Sequence, residues 1–233
     1  MISLFGSNVG AEELAAVQEC MDRQWLGIGN KSEEFERRIA EKCGARGFVF
    51  LNSGSNSLQM AIRLMDLPPG SQVILPSFTW IACANAIVLN GLVPVFCDVD
   101  PATCNMRPED VEPKITPDTS AIMVVHYAGK PVDMDGMQAF GLPIIEDAAH
   151  AVDSFYKGRH CGTIGDVGIL SFDAVKNLTT CEGGGVLAQD KQKIERAHRL
   201  RYCGISKSGF QASVSKTRWW EYDISEFFPK MLN

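Results

Sequence analysis

The chain has 233 residues, of which 45% are hydrophobic and 21% are charged, and its formal net charge is −6. This composition is typical of a globular protein with a substantial core, and the absence of a basic stripe disfavours nucleic-acid binding. The apolar runs are too short to span a bilayer, and the N-terminal sequence lacks the pattern of a signal peptide. We therefore expect neither a nucleic-acid partner nor a membrane anchor.

Helical and strand patterns alternate along the chain. Taken in chain order, they predict helices at 12–23 and 31–42, a strand at 47–51, a helix at 55–65, a strand at 72–75, a helix at 80–90, a strand at 93–97, a helix at 107–111, a strand at 121–126, a helix at 134–140, strands at 143–146, 167–172 and 185–188, and a helix at 191–201. Strands separated by helices indicate an α/β fold with a mainly parallel seven-stranded sheet. Several strands are continuously apolar, which predicts helices on both faces and a three-layer α/β/α arrangement.

The cysteines and histidines suggest neither disulfides nor a metal site. The eight cysteines are scattered, and none are two residues apart in a C-x-x-C pair. A chain of this size forms its core without disulfides, so we expect reduced thiols and a cytoplasmic location. The four histidines show no ligand spacing with each other or with the cysteines, so no metal is expected.

Four groups of polar residues follow predicted strands: the turn after Leu51, His126, Asp147 and Ser171. In open parallel sheets, ligands bind beyond the carboxyl ends of the strands, so these groups are expected at one site. In the turn, Gly54 permits a close backbone approach, and the following helix N-terminus suits a phosphate. A serine that simply caps the helix explains the same turn equally well.

Lys176 and Asp147 are the two groups that most strongly suggest a cofactor. Lys176 lies between an apolar strand and a glycine cluster, and Asp147 follows an apolar strand. Pyridoxal phosphate (PLP) needs a lysine amine for its aldehyde and a carboxylate that keeps its ring nitrogen protonated. Taken singly, a loop lysine is usually a solvated charge, and so is a strand-end acid. Their occurrence together at strand ends favours the cofactor.

Three further side chains could complete such a site. His150 could hydrogen-bond the ring hydroxyl, and Trp80 could lie flat on the ring. Ser171, five residues before Lys176, could hold the phosphate. Ordinary core packing explains His150 and Trp80 as well.

Several motifs occur in a fixed order along the chain: Asn-Ser-Gly-Ser at 52–55, Pro-Ser-Phe-Thr-Trp at 76–80, Val-His-Tyr-Ala-Gly at 125–129, Glu-Asp-Ala-Ala-His-Ala at 146–151, Tyr-Lys-Gly followed by further glycines at 156–166, and Ser-Phe, Lys-Asn-Leu and Glu-Gly-Gly within 171–184. In these motifs the chain resembles the sugar aminotransferases of the DegT/DnrJ/EryC1/StrS family. The resemblance implies the fold type I architecture, namely the large domain of an aspartate aminotransferase-like PLP-dependent transferase.

The resemblance also implies roles for individual residues. Lys176 would bind PLP and transfer a proton, Asp147 would pair with the pyridine nitrogen, and His150 would lie near the ring oxygen. The remaining implied contacts are Trp80 on the ring and, around the phosphate, Gly54, Ser55, Asn56 and Ser171. The implied reaction transfers an amino group, from glutamate, to a keto group of a nucleotide-linked sugar in a homodimer.

The chain departs from the family in three ways. Cys181 stands where the family usually has glycine, Ser55 replaces the commoner threonine and keeps the hydroxyl, and family members are longer. Residues 1–233 are therefore expected to form the PLP-binding large domain, with the smaller C-terminal domain absent or truncated.

The sequence leaves one alternative function open and disfavours two others. A truncated PLP-binding protein without turnover stays open. A PLP-dependent sugar dehydratase is disfavoured, because such relatives carry histidine where this chain has Lys176. A simple dinucleotide-dependent dehydrogenase is also disfavoured, because no glycine-rich fingerprint follows the first strand.

Overall fold

The computed structural model describes residues 8–205, 214–216, 218, 224 and 226–231. A seven-stranded sheet forms the centre and consists of β1 (Gly47–Leu51), β2 (Gln72–Pro76), β3 (Val93–Cys97), β4 (Thr119–Val125), β5 (Ile144–Asp147), β8 (Val167–Ser171) and β9 (Gly184–Ala188). Two short strands, β6 (Phe155–Tyr156) and β7 (Arg159–His160), form a separate antiparallel hairpin.

The strand order in the main sheet is β1-β9-β8-β5-β4-β2-β3. Neighbouring strands from β8 to β3 are parallel, whereas β9 is antiparallel to both β8 and β1. The mainly parallel seven-stranded sheet predicted from the sequence is confirmed. Because only β9 is reversed, its first residues lie at the same edge as the carboxyl ends of the other strands.

The described helices are α1 (Ala11–Asp22), α2 (Asn30–Cys43), α3 (Gly54–Arg63), α4 (Ala82–Leu89), α5 (Pro108–Val111), α6 (Met134–Gln138) and α7 (Lys191–Arg201), with short 3₁₀ turns at Glu112–Lys114 and Tyr127–Gly129. Among the described residues, no helix is long and apolar enough to cross a membrane.

The helices cover both faces of the sheet. Helices α3, α4 and α7 share one apolar cluster with alternate strand residues such as Val73 and Ile145. On the opposite face, α5 and α6 pack around Ile74 and Ile122, and α2 packs around Phe48 and Leu170. Side chains of a strand alternate between faces, so each continuous apolar strand supplies both clusters. The three-layer α/β/α class is confirmed.

The predicted element boundaries differ from the structure in a few places. The helix expected at 80–90 begins at Ala82, because the chain first makes a turn in which the Cys83 N–H donates to the Trp80 carbonyl at 3.0 Å. The strand expected at 121–126 begins at Thr119 and ends at Val125. The hairpin of β6 and β7 was not predicted, because two-residue strands carry no readable periodicity.

Candidate active site

A cavity of about 330 Å³ opens beyond the carboxyl ends of β4, β5 and β8. Seven of the eight residues predicted for the site line it, namely Gly54, Ser55, Trp80, Asp147, His150, Ser171 and Lys176. The eighth, Asn56, lies in the first turn of α3 next to the cavity but does not line it. The strand ends therefore bring together residues that are up to 122 positions apart, from Gly54 to Lys176.

The turn before α3 contains the helix cap that the sequence suggested, and its phosphate-binding role stays a prediction. Ser53 is the N-cap, and its hydroxyl accepts the Asn56 N–H at 3.1 Å. That bond occupies the N–H that the family resemblance assigns to a phosphate, so the role of Asn56 stays a prediction. Gly54 and Ser55 nevertheless face the cavity at the positive end of the helix dipole.

Two glycines let this turn fit tightly against the sheet. A Cβ on Gly54 would lie 3.0 Å from the Cβ and Oγ of Ser171. A Cβ on Gly184, the first residue of β9, would lie 2.6 Å from the backbone of Ser53 and Gly54. Gly184 pairs with Leu51 on one side and with Ser171 on the other. The turn is therefore seated directly on the end of β9, where only glycine leaves enough space.

Asp147 ends β5 and is 5% exposed. Its Oδ1 accepts the Ala149 N–H at 2.9 Å, and its Oδ2 accepts the Cys83 S–H at 3.1 Å. Side chains alternate along a strand, so Asp147 shares the face of Ile145, on which α4 packs. Cys83 lies outside the motifs that predicted the site; the available signal was its position four residues after Thr79, at the start of a helix.

Glu146, the preceding residue, faces the opposite side of the sheet. One of its oxygens accepts the N–H groups of Ile164 and Gly165, and the other accepts the Gly162 N–H and the His126 ring. Burial alone raises the pKa of Glu146, but the bonds from His126 and the backbone outweigh burial and lower it. Its carboxylate is therefore charged and fully occupied away from the cavity.

His126, which the sequence grouped with the strand-end residues, belongs to this closed side. Its Nε2 lies 2.9 Å from Glu146 Oε2, and its Nδ1 accepts the Val132 N–H at 3.2 Å. The acceptor role of Nδ1 leaves the ring proton on Nε2, where it bonds to Glu146. His126 is fully buried and does not line the cavity.

His150 lies at the mouth of the cavity. Its Nδ1 accepts the Ala128 N–H at 3.3 Å, and its ring contacts Tyr127 edge-on with 5.6 Å between the ring centres. Partial burial and then the positive charge of Lys176 lower the pKa of His150, while Asp147 opposes the shift. A neutral imidazole with its proton on Nε2 is therefore favoured at neutral pH, which suits a hydrogen-bond donor.

Lys176 lies on a loop that a buried ring holds in place. The Phe172 ring is fully buried, and its carbonyl accepts both the Thr180 N–H and the Thr179 hydroxyl. The Lys176 N–H donates to Asp173 at 2.9 Å, so the residue lies on a closed turn. Among the described residues, Lys176 Nζ has no ion-pair or hydrogen-bond partner, so the amine is available to a ligand.

Trp80 is 74% exposed at the cavity mouth, so core packing does not explain it. Thr79 and Tyr127 also line the cavity, although the sequence analysis gave neither a role. Phe78 stacks obliquely on Tyr127 with 4.8 Å between the ring centres. An aromatic rim therefore surrounds the polar residues, as is usual for small-molecule sites.

Comparisons with known proteins show which family the chain is similar to. The family model described as the DegT/DnrJ/EryC1/StrS aminotransferase family matches residues 7–227. A dTDP-4-dehydro-2,3,6-trideoxy-D-glucose 4-aminotransferase of Saccharopolyspora spinosa is 41% identical over all of this chain and 62% of its own length.

Solved structures give the same picture. The aminotransferase TlmJ of Streptoalloteichus hindustanus superposes with a TM-score of 0.90 at 38% identity, over 100% of this chain and 62% of its own. A Streptococcus pneumoniae protein assigned as a sugar aminotransferase, solved in PMP form, gives 0.89 at 29% identity over 99% and 63%. The chain thus spans about three-fifths of the length of these relatives.

Proposed function

Because the chain belongs to the DegT/DnrJ/EryC1/StrS aminotransferase family, we propose that it forms the PLP-binding part of an aminotransferase that acts on nucleotide-linked sugars. One observation carries the proposal: Lys176, whose amine has no partner among the described residues, and the buried Asp147 carboxylate line one cavity together with a helix N-terminus. By analogy with the family, glutamate is the amino donor and the acceptor is a keto group of the sugar.

The residues present fit PLP. The turn before α3 packs closely on Gly184, so that the N-terminus of α3 faces the cavity. The Gly54 N–H and the hydroxyls of Ser55 and Ser171 would bind the phosphate there. Asp147 keeps acceptor capacity beyond its two bonds, and it would pair with the ring nitrogen. Trp80 would cover one face of the ring, and His150 Nε2 would donate to the ring oxygen.

When bound, PLP supplies an electron-accepting ring and an aldehyde that reacts with amines. Lys176 Nζ would hold the aldehyde carbon and, once an incoming amine has displaced it, would carry the donor's Cα proton as general base and acid. Asp147 would keep the ring nitrogen protonated, which the electron-accepting role requires. The aromatic rim would limit the access of water.

The visible absorption spectrum of the chain with added PLP tests this function. We expect a band that requires Lys176, that is absent from Lys176→Ala, and that changes when glutamate is added. Lys191→Ala is the matched control, because this exposed lysine lies on α7 and does not line the cavity. A band that survives in Lys176→Ala, or no band in the wild type, would contradict the proposal. A Lys176-dependent band that glutamate leaves unchanged would indicate a cofactor binder without turnover.

We also propose that the protein is a cytoplasmic homodimer. Phe78, Trp80 and Ile81 are exposed beside the cavity mouth, and an apolar surface there suits a partner subunit. All eight cysteines are unpaired, which is compatible with a reducing compartment. Sedimentation equilibrium should give twice the mass of the chain, and Ile81→Asp should shift the equilibrium toward monomer. A monomer at all concentrations would contradict the dimer.

A further inference from the structure

A buried thiol contacts the carboxylate at the base of the cavity. Cys83 is the second residue of α4 and is fully buried. Its Sγ lies 3.1 Å from Asp147 Oδ2 and 3.1 Å from Thr79 Oγ1. Thr79 itself lines the cavity, whereas Cys83 does not. The thiol therefore lies behind Asp147, between it and a residue of the cavity wall.

The hydrogen bonds in this group run in one direction. An ionised carboxylate only accepts, and a thiol has a single proton, so the Cys83 S–H donates to Asp147. The sulfur can then only accept from Thr79, whose hydroxyl must be the donor. Burial and the negative charge of Asp147 raise the pKa of Cys83, so the thiol keeps its proton. The order is Thr79 O–H to sulfur, then S–H to carboxylate.

The strength of the hydrogen-bond donor at position 83 determines how much negative charge remains on the Asp147 carboxylate. A hydroxyl in the same place would form a strong charge-assisted bond and draw negative charge away from the carboxylate. A thiol is a weak donor, so it fixes the orientation of Oδ2 while leaving the carboxylate most of its charge. The second oxygen is fixed independently by the Ala149 N–H.

We propose that Cys83 is a positioning residue that, with Thr79, orients the Asp147 carboxylate toward the cavity and preserves its charge for a protonated ring nitrogen. The inference deepens the proposed function and rests on it, because it assumes that Asp147 pairs with PLP. The observation behind it is the contact between α4 and the end of β5.

Infrared spectroscopy of the chain without cofactor tests the contact. The S–H stretching band that disappears in Cys83→Ser belongs to Cys83. We expect this band to move to higher frequency in Asp147→Asn, because an amide oxygen is a weaker acceptor than a carboxylate. The band lost in Cys43→Ser is the control, since this buried thiol lies in the core on the other face of the sheet. A Cys83 band that Asp147→Asn leaves in place would overturn the inference.

PLP titration tests the consequence. We expect Cys83→Ala to weaken PLP binding by about fivefold, the effect of one ordinary hydrogen bond, because the thiol is a weak donor. Cys83→Ser should restore only part of the affinity, because the hydroxyl orients Asp147 again but draws charge from it. Cys43→Ala should leave binding unchanged. With ¹⁵N-labelled PLP, the ring-nitrogen resonance of Cys83→Ser should move toward that of the unprotonated ring, because the hydroxyl draws charge from Asp147.

The outcomes separate the two proposals. A wild-type chain without a Lys176-dependent PLP band would overturn the proposed function, and with it the role of Cys83. A wild-type chain with that band, whose PLP affinity is the same in Cys83→Ala, would overturn the role of Cys83 alone. Equal loss of affinity in Cys83→Ala and Cys43→Ala would also overturn it, because general loosening of the core would then explain the effect.

Discussion

Two consecutive acids at the end of β5 face opposite sides of the sheet and differ in how many hydrogen bonds their carboxylates accept. Glu146 accepts four hydrogen bonds, three from the backbone of residues 162–165 and one from His126. Asp147 accepts two, from Ala149 and Cys83. A carboxylate offers about four acceptor positions, so those of Glu146 are filled and about two of Asp147 remain for a ligand. Both side chains are buried, and burial alone therefore does not distinguish a structural acid from a functional one.

The histidines repeat the contrast. Both ring nitrogens of His126 are engaged behind the sheet, next to Glu146. Within the part of the chain that the structure describes, His150 uses only Nδ1, and its Nε2 is available at the cavity mouth. We call the group of His126, Glu146 and residues 162–165 the closed network, and we expect its mutation to change stability. Mutation of the cavity residues should change cofactor binding instead.

The sharpest test exchanges each acid for its amide. Glu146→Gln places an NH₂ group against backbone N–H donors, so at least one buried donor loses its acceptor. We expect a loss of about 3 kcal/mol or more in the free energy of unfolding. Asp147→Asn should change that free energy by about 1 kcal/mol or less but should abolish tight PLP binding. Urea unfolding, monitored by circular dichroism, measures the free energy of unfolding, and PLP titration measures the affinity for the cofactor. Equal losses of stability in the two variants would show that the distinction is wrong.

Gly184→Ala tests the seat of the phosphate turn. The new Cβ would meet the backbone of Ser53 and Gly54, which cannot rotate away, so the turn must shift. We expect a loss of about 1–3 kcal/mol in stability, typical of an overpacked site, together with weaker PLP binding. Gly27→Ala is the control, because a Cβ there meets nothing within 4 Å. If Gly184→Ala bound PLP as tightly as Gly27→Ala, the close packing of the turn on Gly184 would not be needed for phosphate binding.

The largely buried ring of His198 is expected to make the stability of the protein depend on pH. Burial, and then the charge of Arg201, lower the pKa of His198 to about 4, and its Nδ1 accepts from Arg201 at 3.1 Å. The unfolded state, with a pKa of about 6.5, takes up the proton first as pH falls. The stability contribution is therefore complete above pH 6.5 and is lost between about pH 6.5 and 4.

The measurement is the free energy of unfolding as a function of pH. In that window, His198→Gln should lose about 1–2 kcal/mol less than the wild type, allowing for partial exposure. His150→Gln should alter the curve less, because that ring is exposed at the cavity mouth. Identical pH curves for the wild type and His198→Gln would refute the assignment.

The sequence predicted the residues that line the cavity better than those of the closed network. Periodicity located all seven strands of the main sheet, and the rule that ligands bind at carboxyl ends then grouped Asp147, Ser171 and Lys176 correctly in one cavity. It also grouped His126 with them. That residue follows β4 directly, and which way its ring turns depends on contacts with Glu146 and Val132.

Long-range contacts explain the remaining differences. Cys83 and Asp147 are 64 positions apart and meet only because α4 packs over the end of β5. The bonds that fill Glu146 come from a loop whose path has no periodic pattern in the sequence. Trp80 was predicted as the first residue of a helix, but it lies in the preceding turn with its ring exposed. An apolar pattern does not distinguish an exposed aromatic at a cavity mouth from a buried one.

The smallest expected effect on the free energy of unfolding concerns the loop that carries Lys176 at the cavity. Cys181 has φ of 67°, a left-handed conformation that glycine adopts without strain. An L-residue there costs about 1–2 kcal/mol, while glycine costs about 0.5–1 kcal/mol in chain entropy. Cys181→Gly should therefore raise the free energy of unfolding by up to about 1 kcal/mol. Cys20→Gly, in the last turn of α1, should lower it by about 0.3 kcal/mol, the difference in helix propensity between the two residues. Because relieving strain also frees the loop, a Cys181→Gly variant that gains stability but binds PLP less tightly would show that this strain helps to hold Lys176 in place. Unchanged binding would show that the contacts of Phe172 and Asp173 hold the loop without this strain.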